Sequence, residues 1–164
     1  MELIKKESVL LRFTNEEELP EADKNLLLEA REAVKSSYAP YSQFHVGCAL
    51  LLANGKIIRG SNQENIAYPS GLCAERVAIF YAGAQYPDVP VMAMAITVKA
   101  QMVEIKEPIM SCGACLQSIS EYEKKFEQAI RTILQGETGD IYVSEKGTIA
   151  FLPYQFYVKE LKKQ

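Results

Sequence analysis

No stretch of this 164-residue chain comes near the ~20 consecutive apolar positions that a membrane-spanning helix requires. The opening residues, Met1 to Glu7, alternate charged with apolar side chains, unlike a secretion signal's basic head and greasy run, so a cytoplasmic protein with no membrane partner is expected. Basic residues are not in surplus. Against 21 Asp and Glu stand 18 Lys and Arg, a net charge of -3, which leaves no excess to neutralise a phosphate backbone. Nucleic acid is therefore not an expected partner, and a small, weakly charged substrate is. Repeats, low-complexity tracts and linkers are also missing, so residues 1–164 are expected to form a single domain, with 1–18 a lead-in without clear pattern. Cysteine is scarce, four in all, and in a cytosolic chain a C-x-x-C spacing points to metal or redox chemistry before disulfides.

What is present reads as an ordinary globular chain, 48% hydrophobic and 24% charged. Residues 2–13 give a strand or irregular lead-in. From Glu21 to Ser36, apolar residues recur at three- and four-residue steps, which predicts a helix with Pro20 at its first turn. Phe44 to Leu52 is apolar almost throughout, a strand covered on both faces. Asn54-Gly55 predicts a two-residue type I′ hairpin turn into a return strand over 56–60. After a loop over 61–70, Cys73 to Gly83 is apolar nearly all round, which predicts a buried helix. Val91 to Val98 reads as a central strand and Gly113 to Lys125 as another helix. Strands follow over 129–134 and 140–143, then an extended piece over 148–152 and a terminal helix from Pro153 to Lys163. This alternation predicts an α/β fold, one sheet with helices on both faces.

Cys112 and Cys115 have the spacing that lets two thiolates on a helix's first turn share one metal ion, and Cys73 can supply a third ligand. Both runs open predicted helices, where unpaired N–H groups and the positive dipole end favour thiolates. Three protein ligands leave one position open, the pattern of catalytic rather than structural zinc. Glu75, two residues past Cys73, can reach a water there without binding the metal. Arg76 beside it can donate hydrogen bonds to ligand sulfurs. Two other readings stay open: a closed structural site with Cys48 as fourth ligand, although Cys48 lies in an apolar strand, and His45, the only histidine, as fourth ligand. Taken alone, Asn62 and Glu64 read as a solvated turn, and Phe44 and Phe156 as core aromatics.

Four ordered motifs change the weight of those residues. Tyr38-Ala39-Pro40-Tyr41-Ser42-Gln43-Phe44, Asn62-Gln63-Glu64-Asn65, Cys73-Ala74-Glu75-Arg76 and Cys112-Gly113-Ala114-Cys115 resemble the small homotetrameric cytidine deaminases that act on free nucleosides, over residues 25–157. The resemblance implies a three-layer α/β/α sandwich around a five-stranded mixed sheet, with Zn²⁺ on Cys73, Cys112 and Cys115. It implies hydrolysis of cytidine or deoxycytidine to uridine or deoxyuridine plus ammonia, in pyrimidine salvage. Glu75 would protonate the ring N3 and later the leaving amine. Asn62 and Glu64 would hold ribose hydroxyls, the backbone at Ala74 the base, and Phe44 would pack on the nucleoside. Leu152-Pro153-Tyr154-Gln155-Phe156 is similar to the family's C-terminal motif, whose aromatic reaches a neighbouring subunit's site, so a homotetramer with pockets shared between subunits is implied. Three positions depart from the pattern: Ser111 replaces a proline, Leu116 an arginine and Cys48 an alanine. An extended loop over 99–108 is expected at the pocket rim. Outside this reading stand a deaminase of another aminated heterocycle and a non-catalytic zinc protein.

Overall fold

The computed structural model describes residues 1–162. A sheet of order β1-β6-β5-β4-β2-β3 forms its middle layer, from β1 (Leu11–Phe13), β2 (Phe44–Leu52), β3 (Ile57–Ser61), β4 (Val91–Ala100), β5 (Arg131–Gln135) and β6 (Ile141–Ser144). Only β4 and β5 run parallel; every other neighbouring pair is antiparallel. Helix α1 (Glu21–Val34) covers one face, while α2 (Ala74–Gln85) and α3 (Gly113–Phe126) cover the other.

The side-chain alternation of a strand explains these layers. Along β2 and β4, Ala49, Ala93 and Ala95 face Leu26, Leu27 and Ala30 of α1. Their sequence neighbours Cys48, Leu50, Met94 and Ile96 face Ala78 and Ile79 of α2 and Ile119 of α3. Small residues toward α1 and large ones toward the helix pair let helices sit at different depths on one sheet. Gly60 fixes one of those depths: a Cβ there would lie 2.6 Å from the Ala74 carbonyl oxygen and 2.7 Å from the Ala78 nitrogen. The first turn of α2 therefore lies directly on β3.

The expected sandwich is observed, with six strands instead of five. The extra strand is β1, at the sheet edge, where Leu11, Arg12 and Phe13 pair with Val143, Tyr142 and Ile141. Part of the lead-in is thus ordered, and Arg12 forms an ion pair with Asp140. Pro20 is the N-cap of α1 rather than a residue of its first turn. Asn54-Gly55 lies in a hairpin but not in a type I′ turn, since Gly55 has φ of 81° and Asn54 is not among the positive-φ residues. Gly55 N–H donates to the Leu52 carbonyl and Leu52 N–H to that of Lys56, both at 2.9 Å, giving a three-residue loop that ends in a left-handed glycine.

Three further expectations are corrected. Helix α2 is not buried all round: Ala78, Ile79 and Ala82 face the sheet, while Phe80 and Tyr81 are exposed. The stretch read as extended over 148–152 contains a 3₁₀ turn, Gly147–Ala150. Instead of a terminal helix over 153–163, an irregular tail leads to a 3₁₀ turn at Lys159–Lys162; Lys163 lies outside the described residues. Of the stretch expected as a loop over 99–108, Lys99 and Ala100 continue β4 and the remainder docks on the β5–β6 turn, where Glu137 and Thr138 N–H groups donate to the Ile105 carbonyl at 2.6 and 3.4 Å.

Candidate metal centre and pocket

Two helix starts meet on one side of the sheet. Cys73 is the N-cap of α2 and Cys112 that of α3, each in extended backbone conformation. The Cys73 carbonyl accepts from the N–H groups of Arg76 and Val77, and the Cys112 carbonyl from that of Leu116. Cys115, one turn into α3, is buried beneath them. The Sγ atoms of Cys73, Cys112 and Cys115 all lie within 4.8 Å of one another, with Cys73–Cys112 at 4.0 Å and Cys112–Cys115 at 3.5 Å. Tetrahedral zinc with Zn–S bonds of about 2.3 Å sets sulfurs about 3.8 Å apart, so the trio fits that ion. Cys48 is not in this group; it is fully buried in the core between β2 and the α2–α3 layer. His45 is half-buried, and its Nδ1 lies 3.1 Å from Ser37 Oγ.

Charge is unevenly shared among the sulfurs. The Cys73 thiol is held down to about 5, chiefly by hydrogen bonding from Cys115 and, against partial burial, by Arg76 and Cys112. Cys115 shifts upward, because it donates to Cys73 and because burial and the Glu75 charge oppose its ionisation. Arg76 Nη2 stands 3.8 Å from Cys73 Sγ, and its Nε is buried without a hydrogen-bond partner among the described residues. Leu116 is buried as an apolar residue.

Glu75 is 5% exposed, on the first turn of α2. Burial raises its pKa, opposed by its own backbone N–H and the Ser111 hydroxyl. A carboxyl shifted upward in this way exchanges a proton closer to neutral pH. Ala74 is completely buried.

A cavity of about 530 Å³ opens beside Cys73 and Arg76, within the size range of small-molecule sites. Asn62, Glu64, Tyr41 and Tyr68 contribute to its wall. The loop carrying them is stitched down: Gln63 and Leu72 exchange backbone hydrogen bonds at 2.9 and 3.0 Å, and Glu64 N–H donates to the Tyr38 carbonyl at 2.8 Å. Asn62 is partly committed. Its Oδ1 accepts from Val46 N–H at 2.8 Å and from the Ser37 hydroxyl at 2.5 Å, and its Nδ2 donates to the Phe44 carbonyl at 2.8 Å. One amide N–H is left over. The Glu64 carboxylate accepts from the Ser42 hydroxyl, from Tyr41 N–H at 2.9 Å and from Ser42 N–H at 3.3 Å, and these bonds, the hydroxyl's first, lower its pKa.

Phe44 and Phe156 are not part of this wall. Phe44 is half-buried at the start of β2 and meets the site through its carbonyl's bond to Asn62. Phe156 is 74% exposed on the tail. No residue of the 99–108 loop lines the cavity, so that loop does not form the rim expected of it. Tyr68, not singled out from the sequence, joins Tyr41 edge-to-face with ring centroids 6.0 Å apart. The Tyr68-Pro69-Ser70-Gly71 turn just before Cys73 was the available signal.

Comparison with known proteins agrees with this geometry. The family model described as "Cytidine and deoxycytidylate deaminase zinc-binding region" matches residues 20–129. A cytidine deaminase of Halalkalibacterium halodurans is 41% identical over 120 residues, which cover 73% of this chain and 86% of the relative. One of Sporosarcina psychrophila is 34% identical over 136 residues, 83% of this chain and 92% of the relative. Among solved structures, cytidine deaminase from Burkholderia pseudomallei superimposes with a TM-score of 0.69 at 35% identity, covering 80% of this chain and 97% of that one.

Proposed function

Because the chain belongs to the cytidine and deoxycytidylate deaminase family through its zinc-binding region, we propose that it hydrolyses the 4-amino group of cytidine or deoxycytidine, giving uridine or deoxyuridine and ammonia. The observation that carries this reading is a trio of clustered sulfurs with a buried carboxyl outside the trio, Glu75, on the helix start that carries Cys73. Cys73, Cys112 and Cys115 would hold zinc, whose Lewis acidity brings water toward hydroxide near neutral pH.

The chain's own groups do the rest. Glu75 accepts a proton from the attacking water, delivers it to ring N3, and carries the next to the departing amine. Its raised pKa suits both directions of transfer. Arg76, against Cys73, offsets the negative charge of the thiolates. Asn62 and Glu64 both line the cavity, and the Glu64 carboxylate and the remaining Asn62 N–H are the proposed acceptor and donor for ribose hydroxyls. The backbone at Ala74 is the proposed contact for the base edge.

The working unit is proposed to be a homotetramer with pockets shared between subunits. Supporting this are the exposed Phe80 and Tyr81 on α2 and the exposed Phe156, outside its own chain's cavity. As to location, no helix among the described residues is long and apolar enough to cross a membrane; we propose a cytoplasmic enzyme of pyrimidine salvage, folded as one domain.

The test is to incubate zinc-loaded protein with cytidine and with deoxycytidine, following the ultraviolet change of the amino-to-oxo conversion and the ammonia released. One ammonia per nucleoside is expected. No conversion by protein that holds its zinc would overturn the reading, and preference for free cytosine over its nucleosides would remove the ribose role given to Asn62 and Glu64.

A further inference from the structure

We propose that Gln117 is a positioning residue for the reaction: its side-chain amide clamps the backbone of Phe156, so that the exposed ring is offered at a fixed place to the pocket of a second copy of this chain. The inference rests on the shared-pocket reading given above and adds the device that makes such sharing affordable in entropy.

Residues 155–158 belong to no helix or strand, and a chain segment of this kind ordinarily frays. Phe156 nevertheless has both backbone hydrogen-bonding groups engaged by one side chain. Gln117 Nε2 donates to the Phe156 carbonyl at 2.9 Å, and Phe156 N–H donates to Gln117 Oε1 at 3.0 Å. A primary amide is well suited to this task, since it presents one donor and one acceptor side by side, as a neighbouring β-strand would. The flanking residues are tied to the body of the fold as well. Gln155 Nε2 donates to the Thr148 hydroxyl at 2.7 Å, and the Lys124 ammonium sits 4.6 Å from the centre of the Tyr157 ring.

The Phe156 side chain itself is left outward, 74% exposed between two anchored neighbours. A large apolar ring held on a pinned backbone incurs little further ordering cost when it docks. Gln117 also lies two residues beyond Cys115 on α3, so the clamp ties the ring to the helix that carries two of the three clustered sulfurs. The carboxamide is thus spent on the tail, and no residue of the described cavity wall takes it up.

The chain contains no tryptophan, so Phe156→Trp introduces a single indole that reports on this one position. Three zinc-loaded proteins, Phe156→Ala, Gln117→Leu and the double variant, are compared with the parent for KM, kcat, zinc content and assembly. In parallel, uridine is titrated into Phe156→Trp with and without Gln117→Leu while indole emission is followed. Expected is a rise in KM of about tenfold in Gln117→Leu, the size of two lost neutral hydrogen bonds. Its kcat stays within about twofold, the double variant is no worse than Phe156→Ala, and uridine's effect on the indole shrinks when Gln117 is absent. If Phe156→Ala raises KM while Gln117→Leu leaves KM and the indole response unchanged, the clamp is refuted and the shared pocket stands. If Phe156→Ala leaves KM unchanged, the shared-pocket reading fails and the clamp with it. Additive effects, with loss of zinc or assembly in Gln117→Leu, would reduce Gln117 to a structural residue of α3 and also overturn the proposal. Gln117→Glu, which keeps an acceptor but loses the donor, should reproduce the KM effect if Gln117→Leu does not fold.

Discussion

Replacing Glu75 with glutamine separates its proposed chemical role from a structural one. The side chain is 5% exposed, so a near-isosteric amide leaves the packing of α2 on β3 intact. What changes is proton transfer, for which a positioned acid/base group contributes roughly 10²–10⁴-fold in rate. Since Glu75 serves several proton transfers in one turnover, kcat for cytidine in Glu75→Gln is expected to fall toward the upper end of that range. Binding should suffer far less, because the carboxyl is assigned to the moving proton and not to ribose or metal. Zinc content should remain at one ion per chain, since the fitted donor set consists of Cys73, Cys112 and Cys115. Thermal stability near pH 7 should not drop: burial opposes ionisation of the wild-type carboxyl, and a neutral amide avoids that cost. The assays are initial rates from the ultraviolet change, metal analysis after gel filtration, and thermal melts. A variant that keeps more than about a tenth of the parent's kcat would refute the proton-carrier role. One that loses zinc would make Glu75 a ligand, and the open coordination position would be gone.

Other outcomes follow from the same geometry. Cys48→Ala should retain zinc and turnover with a modest loss in melting temperature, whereas Cys73→Ala, Cys112→Ala and Cys115→Ala should each lose both metal and activity; parallel metal analysis and melts distinguish the two classes. Gly60→Val should destabilise the fold by about 1–3 kcal/mol or more in denaturant titrations and weaken zinc retention, because its Cβ meets the first turn of α2 at 2.6 Å. On the acid side, the Glu16 carboxyl is held down by its hydrogen bond from Arg31, so it contributes stability above its unfolded pKa that is lost as pH falls through the lower folded value. Glu16→Gln should therefore flatten the stability curve below about pH 5, and an unchanged slope in acid melts would contradict that.

How much was legible in the sequence depended on whether the deciding contacts were local. Strand β2 has the limits its sequence predicts, Phe44–Leu52, because both of its faces are covered and its apolar run is continuous. The sulfur cluster was legible for a similar reason, since Cys73, Cys112 and Cys115 each stand at a helix start that fixes its direction. Where distant groups decide, the pattern misled. The 148–152 stretch curls into a 3₁₀ turn because the Glu123 carboxylate, on α3, accepts from both Ile130 and Thr148 N–H groups. The tail after Pro153 carries helix-forming residues, yet Gln117 and Lys124 claim it in an irregular shape. Strand β1 lies inside the 2–13 stretch that reads as a strand or irregular lead-in, but its three-residue limits come from backbone pairing with β6, which no local pattern announces. At the site, Asn62 and Glu64 were singled out by motif alone, and their commitment to the backbone of residues 41–46 could not be read from composition or spacing.

The most direct measurement is zinc K-edge X-ray absorption on the zinc-loaded, substrate-free protein. Expected are three sulfur scatterers at about 2.3 Å and one nitrogen or oxygen scatterer at about 2.0 Å. A shell of four sulfurs would contradict an open, catalytic centre at Cys73, Cys112 and Cys115, and so would a second light scatterer that persists in Glu75→Ala.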